Sequence, residues 1–379
     1  MHSILDYTRR NRQNQSTRMQ PQLKSLNAPL LGGKTALLAQ LDRAGRTEEF
    51  ALVVRKILQC RENLVPDLLQ RLGSDQVPIA QRAALTLGYL RSAQAIVPLF
   101  RALTNPDLHW QATAALGHIA SPEAIEYLVK ALDSPSLQLR CATAKALGKV
   151  GLPALSPLLQ CLKDRDDPVK FYAVHSLGQI GSPIAVNDLL PLLNHRLPRI
   201  RSEVVWALGQ IRSPLAVPHL AQKLTDPDIS VQSSAVQALK MFGSCALPAL
   251  TAMLKHSSSH TRSTAVRTLA QLGQEEVVGA IAELLFTDPF PYVRCDACSA
   301  LGEIASSLAI AYLAVAVKDS DRSVRTAALR ALRKIKSAHA QAVMSQIDPQ
   351  GTEQGTTILQ KFPQINADDY CVMQTLTYD

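Results

Sequence analysis

Apolar positions along this chain recur on two scales. Within short segments they fall three and four residues apart, as at Ile125, Leu128, Val129 and Leu132 and again at Leu139, Ala142, Ala146 and Leu147, which places them on one face of a helix. On the longer scale an apolar-Ala-x-x-Leu-Gly pattern returns at Leu87-Gly88, Leu116-Gly117, Leu147-Gly148, Leu177-Gly178 and Leu208-Gly209. It continues, with the glycine lost and regained, at Leu239, Leu269, Leu301 and Leu332. The spacings of 29, 31, 30, 31, 31, 30, 32 and 31 define nine units and leave no room for a separate catalytic domain.

Each unit reads as two helices joined by a polar turn such as Asp133-Ser134-Pro135-Ser136. Ser-Pro pairs at Ser121-Pro122, Ser182-Pro183 and Ser213-Pro214 mark first-helix starts, where the serine can cap orphan amides and the proline arrives with φ already set. The glycine after each aligned leucine suits either a left-handed helix end or a close approach between helices. A helix pair of this size buries only one face alone, so neighbours must stack. The pattern therefore predicts an all-α fold, a right-handed α-solenoid of about nine helix pairs with one continuous core.

Composition adjusts this picture. Aromatics are only 4% of the residues against 47% hydrophobic in all, while Ala, Leu, Ser and Val crowd the sequence, the make-up of helix packing. Forty Lys and Arg against 31 Asp and Glu leave a charge of +9, which favours an acidic partner. Seven cysteines, an odd number spread through helical segments, do not form a secreted disulfide framework; seven free thiols in a reducing, cytoplasmic compartment are expected. No apolar run is long enough for a signal segment or a membrane span. The ends differ from the middle: residues 1–33 form a basic, disordered arm, 34–60 capping helices, 61–337 the array, and 338–379 an acidic tail.

The units Leu177-Gly-Gln-Ile-Gly-Ser-Pro-Ile-Ala-Val and Leu208-Gly-Gln-Ile-Arg-Ser-Pro-Leu-Ala-Val-Pro resemble the short HEAT-like repeats of the phycobilisome (bilin) lyase type, over about residues 62 to 335. The resemblance implies HEAT-like helix pairs. As activity it implies a bilin lyase or lyase subunit, holding an open-chain tetrapyrrole against an apoprotein cysteine. The same repeat also occurs in antenna-degradation adaptors, cluster-assembly helpers and scaffolds. Lyase-branch proteins carry a Tyr-Tyr-Ala-Ala-Trp-Trp-like segment in an early repeat, and the corresponding stretch here is Phe171-Tyr172-Ala173-Val174-His175.

Local motifs supply no catalytic constellation. Gly33-Lys34-Thr35 imitates the end of a phosphate-binding loop, but Ala28 stands where the loop's earlier glycine is needed. Cys295 and Cys298 have redox or zinc-like spacing, yet no second pair follows, and their columns hold small packing residues such as Cys141, Ala144, Ser202 and Val205. No metal is expected. None of the nine histidines is followed by Glu, as the iron-binding HEAT hydroxylases resembling this array require.

Aligning the second helices on their leucines exposes two sets of candidate residues. Seven positions before the leucine stand Ala80, His109, Arg140, Lys170, Arg201, Gln232, Arg262, Arg294 and Arg325. Arg140, Arg201, Arg262, Arg294 and Arg325 are read as a structural ladder bonding the preceding inter-helix aspartates, here Asp133, Asp164, Asp288 and Asp319. Positions six and two before the leucine, and two after it, share one face that carries Trp110, Phe171, Lys145, His175, Trp206 and Lys149, with Tyr172 beside them. This face would be the concave one, and its aromatics suit partner binding. The alternative is that Trp110 and Trp206 fill gaps between neighbouring helices.

The reading is a non-catalytic protein-binding scaffold or chaperone-like adaptor without a cofactor, its partner a protein with an acidic surface. A bilin lyase with a tetrapyrrole ligand is the second reading. Nucleic acid is the weaker third partner class, since the ladder accounts for most of the arrayed cations.

Overall fold

The structure, a computed structural model, describes residues 33–45, 47–60 and 62–346. Among these residues the regular elements are α-helices and short 3-10 turns, with no strand. They fall into two compact units, one ending at Ala131 and one beginning at Leu132, where the repeat pattern predicts one continuous core.

The first unit holds α1 (Gly33–Arg43), α2 (Thr47–Gln59), α3 (Val65–Leu72), α4 (Val77–Tyr89), α5 (Ile96–Ala102), α6 (His109–Ile119) and α7 (Pro122–Ala131). The second holds α8 (Leu137–Val150), α9 (Leu155–Cys161), α10 (Asp167–Ile180), α11 (Val186–Leu189), α12 (Pro198–Ile211), α13 (Val217–Gln222) and α14 (Ile229–Phe242). It continues with α15 (Leu247–Met253), α16 (Ser259–Leu272), α17 (Val278–Thr287), α18 (Pro291–Ile304), α19 (Ser307–Ala316), α20 (Arg322–Lys334) and α21 (Ala338–Gln346). From α3 to α20, odd numbers are first helices of a pair and even numbers second helices.

All nine aligned leucines, from Leu87 on α4 to Leu332 on α20, are fully buried. Each such side chain contributes about 1.5–3 kcal/mol by leaving water. Where a glycine follows the leucine, as at Gly148 and Gly178, it serves close approach. A Cβ on Gly178 would stand 2.7 Å from Trp206 Cζ3 and 2.9 Å from Ala207 Cα, and one on Gly148 would stand 2.6 Å from Ser176 Oγ. The left-handed residue lies three positions further on, at Gly181 (φ +70°) and, without glycine, at Arg212 (φ +56°).

The serines of the Ser-Pro starts divide. Ser121 Oγ accepts from the amide of Ala124 at 3.2 Å. Ser182 and Ser213 stand before 3-10 turns and make no capping bond from their side chains, so at those two starts the proline acts without a serine cap.

The arginine ladder runs in the direction opposite to the expected one. Arg201 bonds Asp226 (Nε 2.8 Å, Nη2 2.6 Å), Arg262 bonds Asp288 (2.6 and 2.9 Å) and Arg294 bonds Asp319 (2.8 and 2.9 Å), so each guanidinium reaches forward into the next turn. Arg140 does the same, dividing itself between Asp164 and Asp166. From its own turn each arginine takes main-chain carbonyls: Nη1 of Arg294 donates to the carbonyl of Asp288, while the Asp288 carboxylate faces Arg262. Arg325, on the last pair, keeps only such carbonyls among the described residues, those of Asp319 and Ser320.

The acceptor column lies thirteen residues before each leucine from Leu147 to Leu332: Ser134, Asp164, His195, Asp226, His256, Asp288 and Asp319. Asp133 falls one residue outside it, and Asp226 belongs to it although the expected set omits it. Each member accepts from the amide two residues on, at 2.8 to 3.2 Å, the two histidines through Nδ1. Where the acceptor is His195 or His256, the preceding repeat supplies Lys170 or Gln232 instead of Arg. An arginine buried there without a carboxylate would be an uncompensated charge.

At the N-terminal side the expected capping helices correspond to α1 and α2, which bury Leu37, Leu38, Leu41, Val53, Val54 and Ile57. The basic arm lies outside the described residues except for Gly33, where α1 begins. The acidic tail does not begin at 338: α21 packs on α19 and α20 through buried Ala340 and Val343, so apolar residues extend the stack to Gln346. The remainder, 347–379, lies outside the described residues. No described helix is long and apolar enough to cross a membrane.

Candidate functional site

Within the second unit the even-numbered helices, except α14 and α16, pack on one another more closely than the odd-numbered ones do, which makes them its inner row. Small residues permit this: Gly148 meets Ser176, Gly178 meets Ala207, and Gly209 meets Ala238. Positions two before and two after the leucine project from this row and are exposed at Lys145, Lys149, Gln179, Gln210 and Arg267.

Three cross-helix contacts between α10 and α12 form the most elaborate part of the row. The Arg199 guanidinium lies over the Phe171 ring, 4.2 Å from its centroid, and Tyr172 meets Phe171 edge-on at 5.6 Å. One turn on, His175 Nδ1 is 2.8 Å from Glu203 Oε1, and its Nε2 is 3.1 Å from Gln179 Nε2. The His175 ring also stacks on Trp206 at 4.8 Å, with 9° between the planes. Phe171, Tyr172, His175 and Trp206 are all half-buried. The second unit thus brings four of the expected partner residues together.

Trp206 has two roles in this arrangement. Its ring covers Gly178, as a gap filler does, and part of it still meets solvent. Trp110 belongs to the first unit, on α6, where it is 37% exposed. Beside it His109 takes the ladder column, buried, with no hydrogen-bond partner for Nδ1 among the described residues.

Lys145 and Lys149 lie one turn apart on α8. Burial of its stem and the neighbouring Lys145 charge both push the Lys149 pKa below the usual ammonium range. Carboxylates on the row are already engaged: Glu203 by His175, and Asp296 by Ser263 and by Arg267 at 3.9 Å. Arg199 and Glu203 escaped the sequence reading because they lie nine and five positions before Leu208, where lone charges look like an ordinary solvated helix face.

Cys298 is fully buried on α18 and Cys295 half-buried; burial pushes the Cys298 thiol up to about 12. Among the described residues no group of three or more His, Cys, Asp or Glu side chains could hold a metal ion.

The family model for HEAT repeats matches residues 104–170, 155–240, 217–287 and 278–349, well over half of the chain. No curated protein matches it in sequence. Among solved structures, importin beta is 16% identical, with a TM-score of 0.53, over 87% of this chain and 53% of its own. The complex of CpcE and CpcF of phycocyanin lyase from Nostoc sp. PCC7120 is 21% identical over 72% of this chain and 94% of its own, with a TM-score of 0.33. Human deoxyhypusine hydroxylase is 24% identical over 66% and 99%, with a TM-score of 0.31. The likeness to importin beta shows the fold, an α-solenoid of stacked helix pairs.

Proposed function

The chain belongs to the HEAT-repeat family, and from that premise we propose that it is a non-catalytic protein-binding scaffold or chaperone-like adaptor. Its working surface is the inner row of the second unit. The observation that carries this reading is the tier Phe171–Arg199, His175–Glu203 and Trp206. Half-buried aromatics fixed by stacking offer large contact area at little further rotamer cost. The partner presents an acidic surface, because the cations of the row at Lys145, Lys149, Arg199, Arg267, Arg330 and Lys334 outnumber its carboxylates at Glu203, Asp296 and Glu303.

Photo-crosslinking tests the reading. A benzophenone side chain placed at Gln179, on the inner row, should capture a protein in the native cell. The same group at Leu215, which is 66% exposed at the start of a first helix, should not. Equal capture from both positions, or capture from Leu215 alone, would remove the inner row from consideration. Visible pigment absorbance carried through purification would move the reading to a tetrapyrrole ligand.

A further inference from the structure

Arg199 and Arg201 are two residues apart and do opposite things. Arg201 is buried and spends its donors on Asp226 and two carbonyls. Arg199 is exposed, lies over the Phe171 ring with Cζ 4.2 Å from its centroid, and donates no hydrogen bond to another described residue. Stacking restrains the guanidinium plane without using its N–H groups, so its edge is presented as a ready fork.

We infer that Arg199, held on Phe171, is the anchor that takes an Asp or Glu carboxylate from an acidic segment of the protein partner. This rests on the inner-row reading and names the chemistry of its occupant. A planar carboxylate accepts two parallel N–H bonds from such a fork, whereas an ammonium would offer only a point charge.

Charge selects the carboxylate over a phosphate. Lys170 directly precedes Phe171 and Arg196 lies three residues before Arg199, both bonded to Asp167 at 3.1 and 2.6 Å, and Glu203, four residues after Arg199, is bonded to His175. Three cations and two carboxylates leave one net positive charge, which matches a monoanion.

Geometry sets a spacing. Arg199 and Trp206 are seven residues apart on α12, about 10 Å along the axis. An extended peptide covers that distance in about three residues. A segment running along α12 would therefore carry an acidic residue and, three positions away, an apolar or aromatic side chain for the open part of Trp206.

A random peptide library displayed on phage and selected on the full-length chain supplies the probe. The strongest peptide is synthesised and its affinity measured by fluorescence anisotropy against the parent, R199K, F171L and W206A, each checked for an unchanged circular dichroism spectrum. Selected peptides should share Asp or Glu three residues from an apolar side chain. R199K should weaken binding about tenfold or more although the charge is kept, and F171L should weaken it through the lost stack. Changing the peptide's Glu to Gln should cost as much, with R199K then adding little further loss.

Binding that falls with W206A but ignores R199K and the Glu-to-Gln change would overturn the anchor and leave the inner row standing. Binding that ignores all three protein variants, or no selection of acidic peptides, would overturn both. Tighter binding of a phosphoserine version of the same peptide would overturn the assignment to a carboxylate.

Discussion

Arg201 on α12 closes on Asp226 in the next turn through two bonds of 2.8 and 2.6 Å, both partners buried. The pair joins one repeat to the next, while Arg201 Nη1 ties down the carbonyls of its own turn at His195 and Arg196. Removing the cation leaves the buried carboxylate with the Asp228 amide at 3.0 Å and the Lys223 ammonium at 3.8 Å, and without its guanidinium. Arg201→Ala should cost about 3 kcal/mol of unfolding free energy. Arg325→Ala, which abandons no carboxylate among the described residues, should cost about 1 kcal/mol. Denaturant melts of the two variants compare them directly, and equal losses would show that the carboxylate partner is not what matters.

The joint between Lys170 and His195 lacks such a pair, and the Lys170 ammonium turns back to Asp167 at 3.1 Å. Installing both members, Lys170→Arg with His195→Asp, should create a fifth Arg–Asp rung. Lys170→Arg alone should destabilise, since the guanidinium would meet an imidazole whose Nδ1 is already bonded to the Leu197 amide. The expected result is a non-additive cycle in which the double variant is more stable than either single one, by about 1 kcal/mol or more.

Acid should loosen the ladder over a defined range. Burial pushes the Asp226 carboxyl up, but the Arg201 bonds, the Asp228 amide and the charges of Arg201 and Lys223 outweigh it and hold the pKa below the usual carboxylate value. A carboxyl depressed in the folded state stabilises above its unfolded pKa of about 3.9 and loses that contribution as pH falls through the folded value. The melting temperature should stay level from neutrality to about pH 5 and drop below about pH 4. Asp226→Asn should melt lower at pH 7 and show a shallower fall in acid.

The small residues between second helices give a size-dependent prediction. Gly178→Ala places a methyl 2.7 Å from the Trp206 ring and 2.9 Å from the Ala207 backbone, which cannot both retreat. A loss of about 1–3 kcal/mol is expected from overpacking. Gly279→Ala on α17 meets nothing within 4 Å and should be neutral or stabilise by about 0.5–1 kcal/mol. Near-ultraviolet circular dichroism should record displacement of the tryptophan in the first variant and not in the second.

Thiol reactivity should follow burial. Desolvation pushes Cys161 and Cys298 up to about 12 and Cys141 to about 11, so at pH 8 all three are protonated as well as enclosed. Cys245 is exposed. Iodoacetamide followed by peptide mass spectrometry should label Cys245 in the native chain and reach Cys141, Cys161 and Cys298 only with denaturant. Native labelling of Cys298 would show that α18 opens readily.

The sequence by itself determined the helix pairs and the buried leucine column, because these follow from the periodicity and size of residues close in the chain, whereas the glycines suited either a helix end or a close approach until the next repeat was placed against them. Phe171, His175 and Trp206 were legible in the same way, as large side chains in columns that face away from the core. The partners of those side chains were not. Arg199 meets Phe171, Glu203 meets His175 and Arg201 meets Asp226 across 28, 28 and 25 residues. Which residue faces which over such a distance depends on the offset between successive repeats. A repeat length fixes how often a column returns and leaves that offset open, so an arginine column and an aspartate column pair equally well forward or backward on paper. Only the stacked helices decided that the arginines reach forward, that His195 and His256 accept a turn amide as aspartates do, and that Arg199 lies on Phe171 rather than on a carboxylate. In the same way Ala338–Gln346 reads as the start of a polar tail until α19 and α20 provide the apolar surface that Ala340 and Val343 cover.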